Sequence, residues 1–418
     1  MSKIAIIGSG VSGLICGYNL SRNHEVSMFE ANDYIGGHTA TIDVEVDGQS
    51  WKVDTGFIVF NDHTYPYFQG LMDALGVDYQ PTEMSFSVTS ESSGLVYNGN
   101  SIATLFAQKK NLINPKFWGL IRSILRFNKR CKALNKAGNI DPNKTVGDFL
   151  KEERFNQYFA ENYILPMGAA IWSASLGEIE SFPLRFFIQF FDNHGLLNVA
   201  DRPQWFSIKG GSNQYIPKLI KGFEDSIYLS KAVNSVSRDA DGVWLSFESG
   251  QKQHFDEVVF ACHSDQALQL LEAPTQAQQQ ILSSIPYRDN EVILHTDDKL
   301  LPEIPQAVAS WNYHLSGVRE EPASVTYSMN ILQCLPEGAP KFCVTLNKTQ
   351  QIDPDKVLRT FSYSHPVFSR DMVAAQQRRA EICGIDGMHF CGAYWYNGFH
   401  EDGVKSALDV CKRFEAAE

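Results

Sequence analysis

A short apolar strand that runs directly into a glycine-rich turn is the feature that most constrains this fold. Lys3 to Ile7 is apolar and β-branched, as a buried parallel strand requires, and Gly8-Ser-Gly10-Val-Ser-Gly13 follows it at once. A helical stretch and a second strand come next. This unit predicts a tight turn at Gly8, close approach of a diphosphate at Gly10 and close helix–strand packing at Gly13. The helix N-terminus supplies N–H groups and a positive dipole end for the phosphates.

An acidic residue closes the unit. Glu30 ends the second strand, twenty residues after Gly10. At that position a carboxylate accepts hydrogen bonds from ribose hydroxyls, and its charge disfavours a 2′-phosphate. The first thirty residues therefore predict a site for a dinucleotide.

A glycine pair follows the acid after six residues, in Gly36-Gly37-His38-Thr39, and allows the chain to pass back over the diphosphate. This segment resembles the second FAD signature of the flavin amine oxidase, protoporphyrinogen oxidase and phytoene desaturase superfamily. The superfamily usually has Arg after the glycine pair, where this chain has His38, which can still donate a hydrogen bond. Thr55-Gly56 resembles the segment that returns the chain towards the flavin in such proteins.

Two distant segments resemble the same superfamily in the same order. Gly210-Gly211 precedes a helix. The resemblance implies that the later strand that contains Val233 runs beside the adenine and contacts it through its backbone. Near the C-terminus, Gly392 ends a strand and Gly403 stands at the start of a helix. That helix N-terminus is predicted to face the flavin pyrimidine and to stabilise the negative charge of the reduced flavin.

The predicted FAD site therefore comes from segments that are far apart in the chain. Its residues are Gly8, Gly10, Ser12, Gly13, Glu30, Ala31, Gly36, Gly37, His38, Thr39, Thr55, Gly56, Val233, Gly392, Asp402, Gly403 and Val404. Three residues between Gly392 and Asp402 are candidate catalytic residues at the flavin face: Trp395, Tyr396 and His400. Alternatively, the two aromatic residues belong to the core, and His400 is a structural hydrogen-bonding group. No metal site is predicted, because the eight cysteines are scattered without paired Cys/His spacing.

The resemblance implies an α/β fold, in which a Rossmann-type FAD-binding domain carries an inserted α+β substrate domain as in flavin amine oxidases. We expect residues 1–56, 207–262 and 385–418 to form the FAD-binding domain, and 57–206 and 263–384 to form the substrate-binding domain. Aromatic residues crowd the first insert, either as an apolar tunnel to the flavin or as ordinary packing. They include Phe57, Phe60, Tyr65, Tyr67, Phe68, Phe182, Phe186, Phe187, Phe190 and Phe191.

One segment differs in charge from the rest of the chain. The formal net charge is −12, which argues against nucleic acid as a partner, yet residues 92–140 contain nine Lys and Arg and no acid. Apolar residues recur there at helical spacing, so a basic amphipathic helix within 109–136 is predicted to contact an anionic membrane. The alternative is a solvated helix that pairs with acids elsewhere. Without a signal peptide or an apolar span of ~20 residues, we expect a cytoplasmic protein, peripheral on the inner face of the membrane.

Across nearly its whole length the chain resembles a bacterial group of FAD-binding oxidoreductases in this superfamily. That resemblance implies hydride abstraction from an unsaturated or methylated fatty acyl chain of a phospholipid, leading to desaturation or oxygen insertion, including furan fatty acid formation. It also implies a methyltransferase of the cyclopropane-synthase type as a partner. An amine oxidase, a redox-neutral fatty acid double-bond isomerase and a lipid-binding or flavin-sensing protein without turnover stay open as alternatives.

Overall fold

The computed structural model describes residues 1–198, 202–316, 318–321 and 324–415. These residues form a parallel sheet, a mixed sheet, smaller sheets and a layer of helices. The strands are β1 (Lys3–Ile7), β2 (Glu25–Phe29), β3 (Thr41–Val46), β4 (Gln49–Asp54), β5 (Val59–Asn61), β6 (Tyr79–Thr82), β7 (Phe86–Ser90), β8 (Leu95–Asn98), β9 (Trp205–Ile208), β10 (Ile227–Tyr228), β11 (Val233–Arg238), β12 (Val243–Phe247), β13 (Lys252–Phe255), β14 (Glu257–Phe260), β15 (Tyr287–His295), β16 (Trp311–Leu315), β17 (Val325–Ser328), β18 (Cys343–Leu346), β19 (Val357–Pro366) and β20 (Met388–Phe390). The helices are α1 (Val11–Leu20), α2 (Pro66–Leu75), α3 (Ile102–Leu105), α4 (Pro115–Ala137), α5 (Val146–Glu152), α6 (Gln157–Phe159), α7 (Leu165–Trp172), α8 (Leu176–Glu180), α9 (Leu184–Asn193), α10 (Ile216–Ile220), α11 (Ser264–Leu270), α12 (Gln276–Ser283), α13 (Met329–Leu332), α14 (Arg370–Gln377) and α15 (His400–Glu415).

The parallel sheet joins strands from distant parts of the chain, in the order β10-β2-β1-β14-β20. β1 lies at its centre, and Ile4 and Ile6 are fully buried because both faces of a parallel sheet are covered. β1 and β2 come from the first 56 residues, β10 and β14 from 207–262, and β20 from 385–418. The three ranges expected to build the FAD-binding domain thus share one sheet, while the domain boundaries stay a prediction.

Helices α1 and α15 pack against each other beside this sheet. The Ser12 hydroxyl of α1 donates to the Gly403 carbonyl oxygen of α15 at 2.9 Å. One turn later, Cys16 Sγ lies 3.9 Å from both Cys391 Sγ and the Ala407 carbonyl oxygen. These contacts fix the beginning of the chain to its C-terminal helix.

The mixed sheet has the order β19-β15-β18-β17-β16-β7-β8. β15 and β19 pair antiparallel, from Tyr287 opposite Pro366 to His295 opposite Val357. β7 pairs parallel with β16, so strands of the first inserted region lie beside those of the second. The two inserted regions therefore share this sheet.

Helices α4 to α9 form a layer over one end of the mixed sheet, and α4 contains the predicted amphipathic helix. The Asn114 side chain accepts the Lys116 N–H at the start of α4, and Gly138 ends it at a φ of +68°. Its inner face buries Phe117 and Phe127. The sequence prediction of this helix is confirmed.

Most aromatic side chains of the first insert pack within cores. Phe60, Tyr65 and Phe68 belong to the core beside the parallel sheet. Phe187 and Phe191 stack in the helical layer, with 4.1 Å between ring centroids. Packing therefore accounts for much of the aromatic content that also suggested a tunnel.

Gly13 leaves no room for a side chain. A Cβ at this position would lie 2.0 Å from the Gly8 carbonyl oxygen and 3.3 Å from the Ala261 Cβ. Because alanine must push α1 away from β1, we expect Gly13→Ala to lower the free energy of unfolding by about 3 kcal/mol, measured by urea denaturation. Gly119→Ala in α4 is the matched control, since a Cβ there meets nothing within 4 Å. Equal stability of the two variants would contradict this account.

Candidate functional site

The turn after β1 leaves an opening at the N-terminus of α1. Gly8 adopts a φ of +102°, and its N–H donates to the Phe29 carbonyl oxygen at 2.9 Å. At Gly10 the φ is −64°, and a Cβ would meet no protein atom within 4 Å. The first N–H groups of a helix have no intrahelical acceptor, so this open space suits an anionic group.

Glu30 is buried at the end of β2 and accepts hydrogen bonds on both oxygens. Oε2 accepts from the Ser9 N–H at 2.9 Å and from the Ser9 hydroxyl at 2.7 Å. Oε1 accepts from the Asn32 N–H and side-chain amide, both at 2.9 Å. Two of these four donors are side chains that can rotate, so the carboxylate can exchange them for ribose hydroxyls.

Ala31 and Val233 lie on either side of a short backbone pairing. The Lys231 N–H donates to the Glu30 carbonyl oxygen and the Ser230 N–H to that of Asn32, both at 2.8 Å. Ala31 is exposed between the two paired carbonyls, and Val233 begins β11 just beyond them. This geometry agrees with a position of both residues beside one end of a dinucleotide.

The glycine pair carries the chain back over the first turn. The Gly36 N–H donates to the Ser9 carbonyl oxygen at 3.1 Å, and a Cβ on Gly37 would lie 3.1 Å from the Gly10 Cα. Both glycines have positive φ, +124° and +58°. The Gly36-Gly37 turn therefore crosses over the first glycine turn, and its contact with a diphosphate stays a prediction.

The C-terminal loop reaches the same opening. The Gly392 N–H donates to the Ser406 hydroxyl at 2.9 Å, and Val404 is buried in the core of the parallel sheet. A Cβ on Gly403 would lie 2.6 Å from Val11 Cγ1 of α1. Asp402 accepts the Phe399 N–H at 2.9 Å, and burial raises its pKa to about 7. The N-termini of α1 and α15 thus converge on one cleft, which favours a negatively charged ligand.

His400 is enclosed at the start of α15. Its ring stacks on Phe57 at 3.8 Å between centroids, and Nε2 lies 3.0 Å from the Tyr215 hydroxyl. That hydroxyl lies 2.7 Å from Thr39 Oγ1. Burial, with a smaller effect of His38, lowers the pKa of His400 to about 3. This chain of contacts favours the structural alternative for His400, and its catalytic role stays a prediction.

Trp395 and Tyr396 lie against the outer side of α15. The Tyr396 hydroxyl donates to Asp409 Oδ2 at 2.6 Å, and Arg379 donates to the same oxygen at 3.1 Å. Lys405 Nζ lies 4.0 Å from the Tyr396 ring centroid, and Arg379 Cζ lies 5.3 Å from that of Trp395. These contacts agree with a packing role, and the catalytic role of this pair stays a prediction.

Three histidines from distant segments meet just beyond the glycine pair, and we call them the histidine cluster: His38, His263 and His365. The ring centroid of His38 lies 5.7 Å from that of His365 and 6.3 Å from that of His263. Burial, and then a neighbouring histidine, lowers the pKa of His38 and His263 to about 4 and that of His365 to about 3. All three rings are therefore neutral at pH 7.

One ring nitrogen of this cluster has no hydrogen-bonding partner. His38 Nε2 is buried, and no described residue donates to it or accepts from it. The neighbouring backbone is fixed, because a Cβ on Gly56 would lie 2.2 Å from the His38 carbonyl oxygen. The Thr55 hydroxyl beside it lies 2.9 Å from that of Tyr363. A buried polar atom normally finds a partner, so His38 Nε2 fits contact with a bound group.

A cavity of about 910 Å³ adjoins the histidine cluster. His365 lies in its wall, where Nδ1 is 3.1 Å from the Ser173 hydroxyl. Trp172, Phe182 and Phe368 line it as well. Phe368 also borders the C-terminal loop, since a Cβ on Gly398 would lie 3.1 Å from its Cζ. The cavity therefore connects the cluster with the loop that precedes α15.

The residues present fit FAD. The open backbone at Gly10 and the two helix N-termini suit its diphosphate. Glu30 suits a ribose, and the unpartnered His38 Nε2 stands where the superfamily usually has a cofactor-binding arginine. A family model described as flavin containing amine oxidoreductase matches residues 11–330. The chain belongs to this family. Its cofactor is FAD and its family is one of oxidoreductases, as predicted.

Curated relatives of this flavin-containing chain include two oxidases. The L-amino-acid oxidase of Siganus canaliculatus is 23% identical over 291 residues, which cover 64% of this chain and 49% of the relative. Protoporphyrinogen oxidase 2, chloroplastic/mitochondrial, of Arabidopsis thaliana is 23% identical over 285 residues, which cover 60% of this chain and 52% of the relative. The chain spans about half the length of these curated relatives.

Solved structures match the whole fold. Cyclohexylamine oxidase from Brevibacterium oxydans IH-35A superposes with a TM-score of 0.71 at 16% identity, over 99% of both chains. The CLA-producing fatty acid isomerase from P. acnes superposes with a TM-score of 0.70 at 15% identity, over 99% of this chain and 98% of the isomerase. These similarities confirm the predicted fold class, a Rossmann-type FAD-binding domain with an inserted α+β domain.

Several residues of this site were missed by the sequence analysis. Tyr215 lies four residues after Gly211, so its nearness to that glycine pair was a local signal for it. Tyr363 and His365 lie on β19, and no local motif marks them. Only the pairing of β19 with β15 brings them towards the cleft.

Gly10→Ala separates cofactor binding from folding. Its methyl group meets no protein atom within 4 Å, and alanine adopts the φ of −64°, so the fold should stay intact. The methyl group would occupy the space at the helix N-terminus, and we expect FAD content to fall to about a tenth of wild type. The absorbance near 450 nm and the released flavin measure this. Gly119→Ala is the control and should keep its FAD; wild-type FAD content in Gly10→Ala would disprove the assignment.

Asp402 predicts a pH-dependent stability. Burial raises its pKa from 3.8 to about 7, so the folded protein favours the neutral carboxyl. The free energy of unfolding therefore does not suffer from Asp402 below pH 3.8, and it falls as the pH rises to about 7, because the buried carboxyl must then ionise. Asp402→Asn should therefore gain stability relative to wild type from about pH 5 to about pH 8, measured by chemical denaturation. For Asp241→Asn, at an exposed turn, the difference from wild type should stay constant, and a constant difference for Asp402→Asn would refute the prediction.

Proposed function

We propose that this chain oxidises an unsaturated or methylated fatty acyl chain of a phospholipid, by hydride abstraction that leads to desaturation or oxygen insertion. The observation that carries the proposal is the cavity beside the cofactor cleft, whose lining includes Trp172, Phe182 and Phe368 together with His365 of the neutral histidine cluster. Its volume of about 910 Å³ suits a long apolar ligand.

The cavity wall contains both apolar and charged side chains. Trp172, Phe182 and Phe368 offer apolar contacts to an acyl chain. Arg288 and Glu178 neutralise each other, because Arg288 Nη1 donates to Glu178 Oε2 at 2.9 Å and Nη2 donates to the other oxygen. Arg370 is exposed among the lining residues, and although one of its amino groups donates to the Asn143 carbonyl oxygen, its other N–H groups can bind an anionic head group. These side chains support a substrate with an apolar tail and a negatively charged end.

Bound FAD supplies a two-electron acceptor. Trp172, Phe182 and Phe368 contact and orient the acyl chain. His38 is neutral at pH 7, and its unpartnered Nε2 can donate a hydrogen bond that holds the cofactor. The N-terminus of α15 can stabilise negative charge that develops in the cleft.

An amine oxidase is the first alternative, and the cavity offers it little support. An amine pocket needs an aromatic cage and often a lysine near the flavin. No lysine stands among the described residues that line the cavity, and neither Trp395 nor Tyr396 lines it. A double-bond isomerase would use the same cavity and is distinguished by its product.

A phospholipid substrate implies a position at the membrane surface. Within the described part of the chain, no helix has the length and hydropathy needed to cross a bilayer. The proposal therefore includes peripheral attachment on the inner face of the membrane. A methyltransferase of the cyclopropane-synthase type belongs to it as a partner that supplies methylated acyl chains, and this element rests on the family resemblance alone.

Anaerobic mixing with phospholipids of defined acyl chains tests the proposal. We expect a matching phospholipid to bleach the flavin absorbance, and mass spectrometry to show a product that has lost two hydrogens. Ala174→Phe, which fills part of the cavity, should slow this reduction by about tenfold or more. Ala240→Phe, at an exposed turn, is the matched control.

Other outcomes of the same experiment reject the proposal. Bleaching by amines but not by phospholipids would identify an amine oxidase. A product of unchanged mass with a shifted double bond would identify an isomerase. A flavin that no lipid reduces would indicate a binding or sensing protein.

A further inference from the structure

Large apolar side chains are exposed in α3, just before α4 and along the first half of α4. Ile113 is 87% exposed and Ile102 is 80% exposed, and Leu112, Trp118 and Leu125 are each about half exposed. This group is ordered rather than loose, because the Trp118 indole N–H donates to the Leu112 carbonyl oxygen at 2.9 Å. The protein thus presents a fixed apolar tip to its surroundings.

A stripe of six exposed side chains, four of them cationic, extends from this tip along the outer face of α4. Its members are spaced alternately by four and three residues, so they lie along one side of the helix, opposite the buried Phe117 and Phe127. All of them are exposed: Trp118, Arg122, Leu125, Lys129, Lys132 and Lys136.

Few of these charges are neutralised by the protein. Arg130 donates to Glu153 at 2.6 Å, and Arg126 covers the Phe155 ring at 4.2 Å. In the described ranges, no ion pair involves Arg122, Lys129 or Lys136. A solvated helix that pairs with acids elsewhere does not account for such an arrangement.

We infer that this surface docks on an anionic phospholipid bilayer, with the apolar tip inserted at the head-group boundary and the cations on lipid phosphates. We call it the docking surface: Ile102, Leu112, Ile113, Trp118, Arg122, Leu125, Lys129 and Lys136. A bilayer is the occupant that satisfies both features, because it buries apolar side chains and attracts cations at one interface. A nucleic acid would leave the exposed isoleucines in water, and a second copy would bring like charges together.

The docking surface lies one helix away from the cavity. The Asn135 amide of α4 donates to Asp192 of α9 at 2.6 Å. Phe190 of α9 lies 4.8 Å from Trp172 between ring centroids, and Trp172 lines the cavity. If the proposed function holds, docking places the lipid on the same helical layer that borders the cavity; docking itself does not depend on that function.

Binding of the full-length holoprotein to vesicles tests the inference without turnover. Vesicles of saturated phosphatidylcholine, with or without about 30% saturated phosphatidylglycerol, are the probe. We expect salt-sensitive binding to the anionic vesicles only. Replacing Arg122, Lys129 and Lys136 by Gln should weaken it by about fivefold per cation, on the order of a hundredfold in all. Leu112→Ser with Ile113→Ser should weaken it by about tenfold or more.

The matched control removes the same charge elsewhere. Lys221, Lys252 and Lys412 are exposed and distant from α4 in the chain, and their replacement by Gln should change binding by about twofold or less. Melting temperature and FAD content confirm that each variant is folded.

Three results would overturn the inference. They are no binding of wild type to anionic vesicles, an equal loss in the control, and a wild-type dimer that the α4 variant converts to monomers. Because saturated lipids are used, failure here leaves the proposed reaction untouched, and failure of flavin reduction leaves docking untouched.

Discussion

The close contact between Gly8 and Gly13 is the constraint on which the cofactor cleft depends. With no side chain on Gly13, α1 begins directly against the end of β1. Its N-terminus then lies where the Gly36-Gly37 turn can cross over Gly10 and where Ser12 can hold Gly403 of α15. Two segments from the first forty residues and one from the C-terminal helix converge because each supplies backbone without a Cβ at the point of contact.

Buried carboxylates hold the loops around this cleft. Asp54 Oδ1 accepts from the Thr41 hydroxyl at 2.6 Å and from the Ser212 N–H at 2.9 Å, which ties the Gly210-Gly211 loop to the β3–β4 hairpin. Burial nevertheless raises the pKa of Asp54 to about 6. Glu401 accepts the Tyr67 N–H at 2.9 Å and the Phe68 N–H at 2.8 Å, at the start of α2. Each carboxylate loses hydration, and the backbone bonds it accepts offset that loss while fixing a loop.

Local motifs predicted the residues whose type is restricted by turn geometry. They did not predict residues that meet only through the pairing of distant strands. Gly10, Glu30 and the Gly36-Gly37 pair were recognisable because turn geometry and spacing restrict the residue types there. The fold class followed from the family resemblance that these motifs carry, and α4 from the helical spacing of its apolar residues. The histidine cluster was not foreseeable, since His365 reaches His38 only through the register of β19 on β15. The outward exposure of Leu112 and Ile113 was equally hidden, because spacing alone does not show which apolar residues find a core.

The distribution of charge adds orientation to attachment. Residues 92–140 carry a net +9, so the rest of the chain carries a net −21, since the whole carries −12. Near an anionic surface, attraction of the basic segment and repulsion of the acidic remainder act together over about a Debye length, ~8 Å at physiological salt. They turn the protein so that α4 faces the surface before any apolar side chain touches lipid. Leu112 and Ile113 then contribute at short range, where contact is insensitive to salt. An acidic protein can therefore dock on an acidic membrane with its basic segment facing the lipid. In any other orientation, its acidic surface is repelled by the membrane.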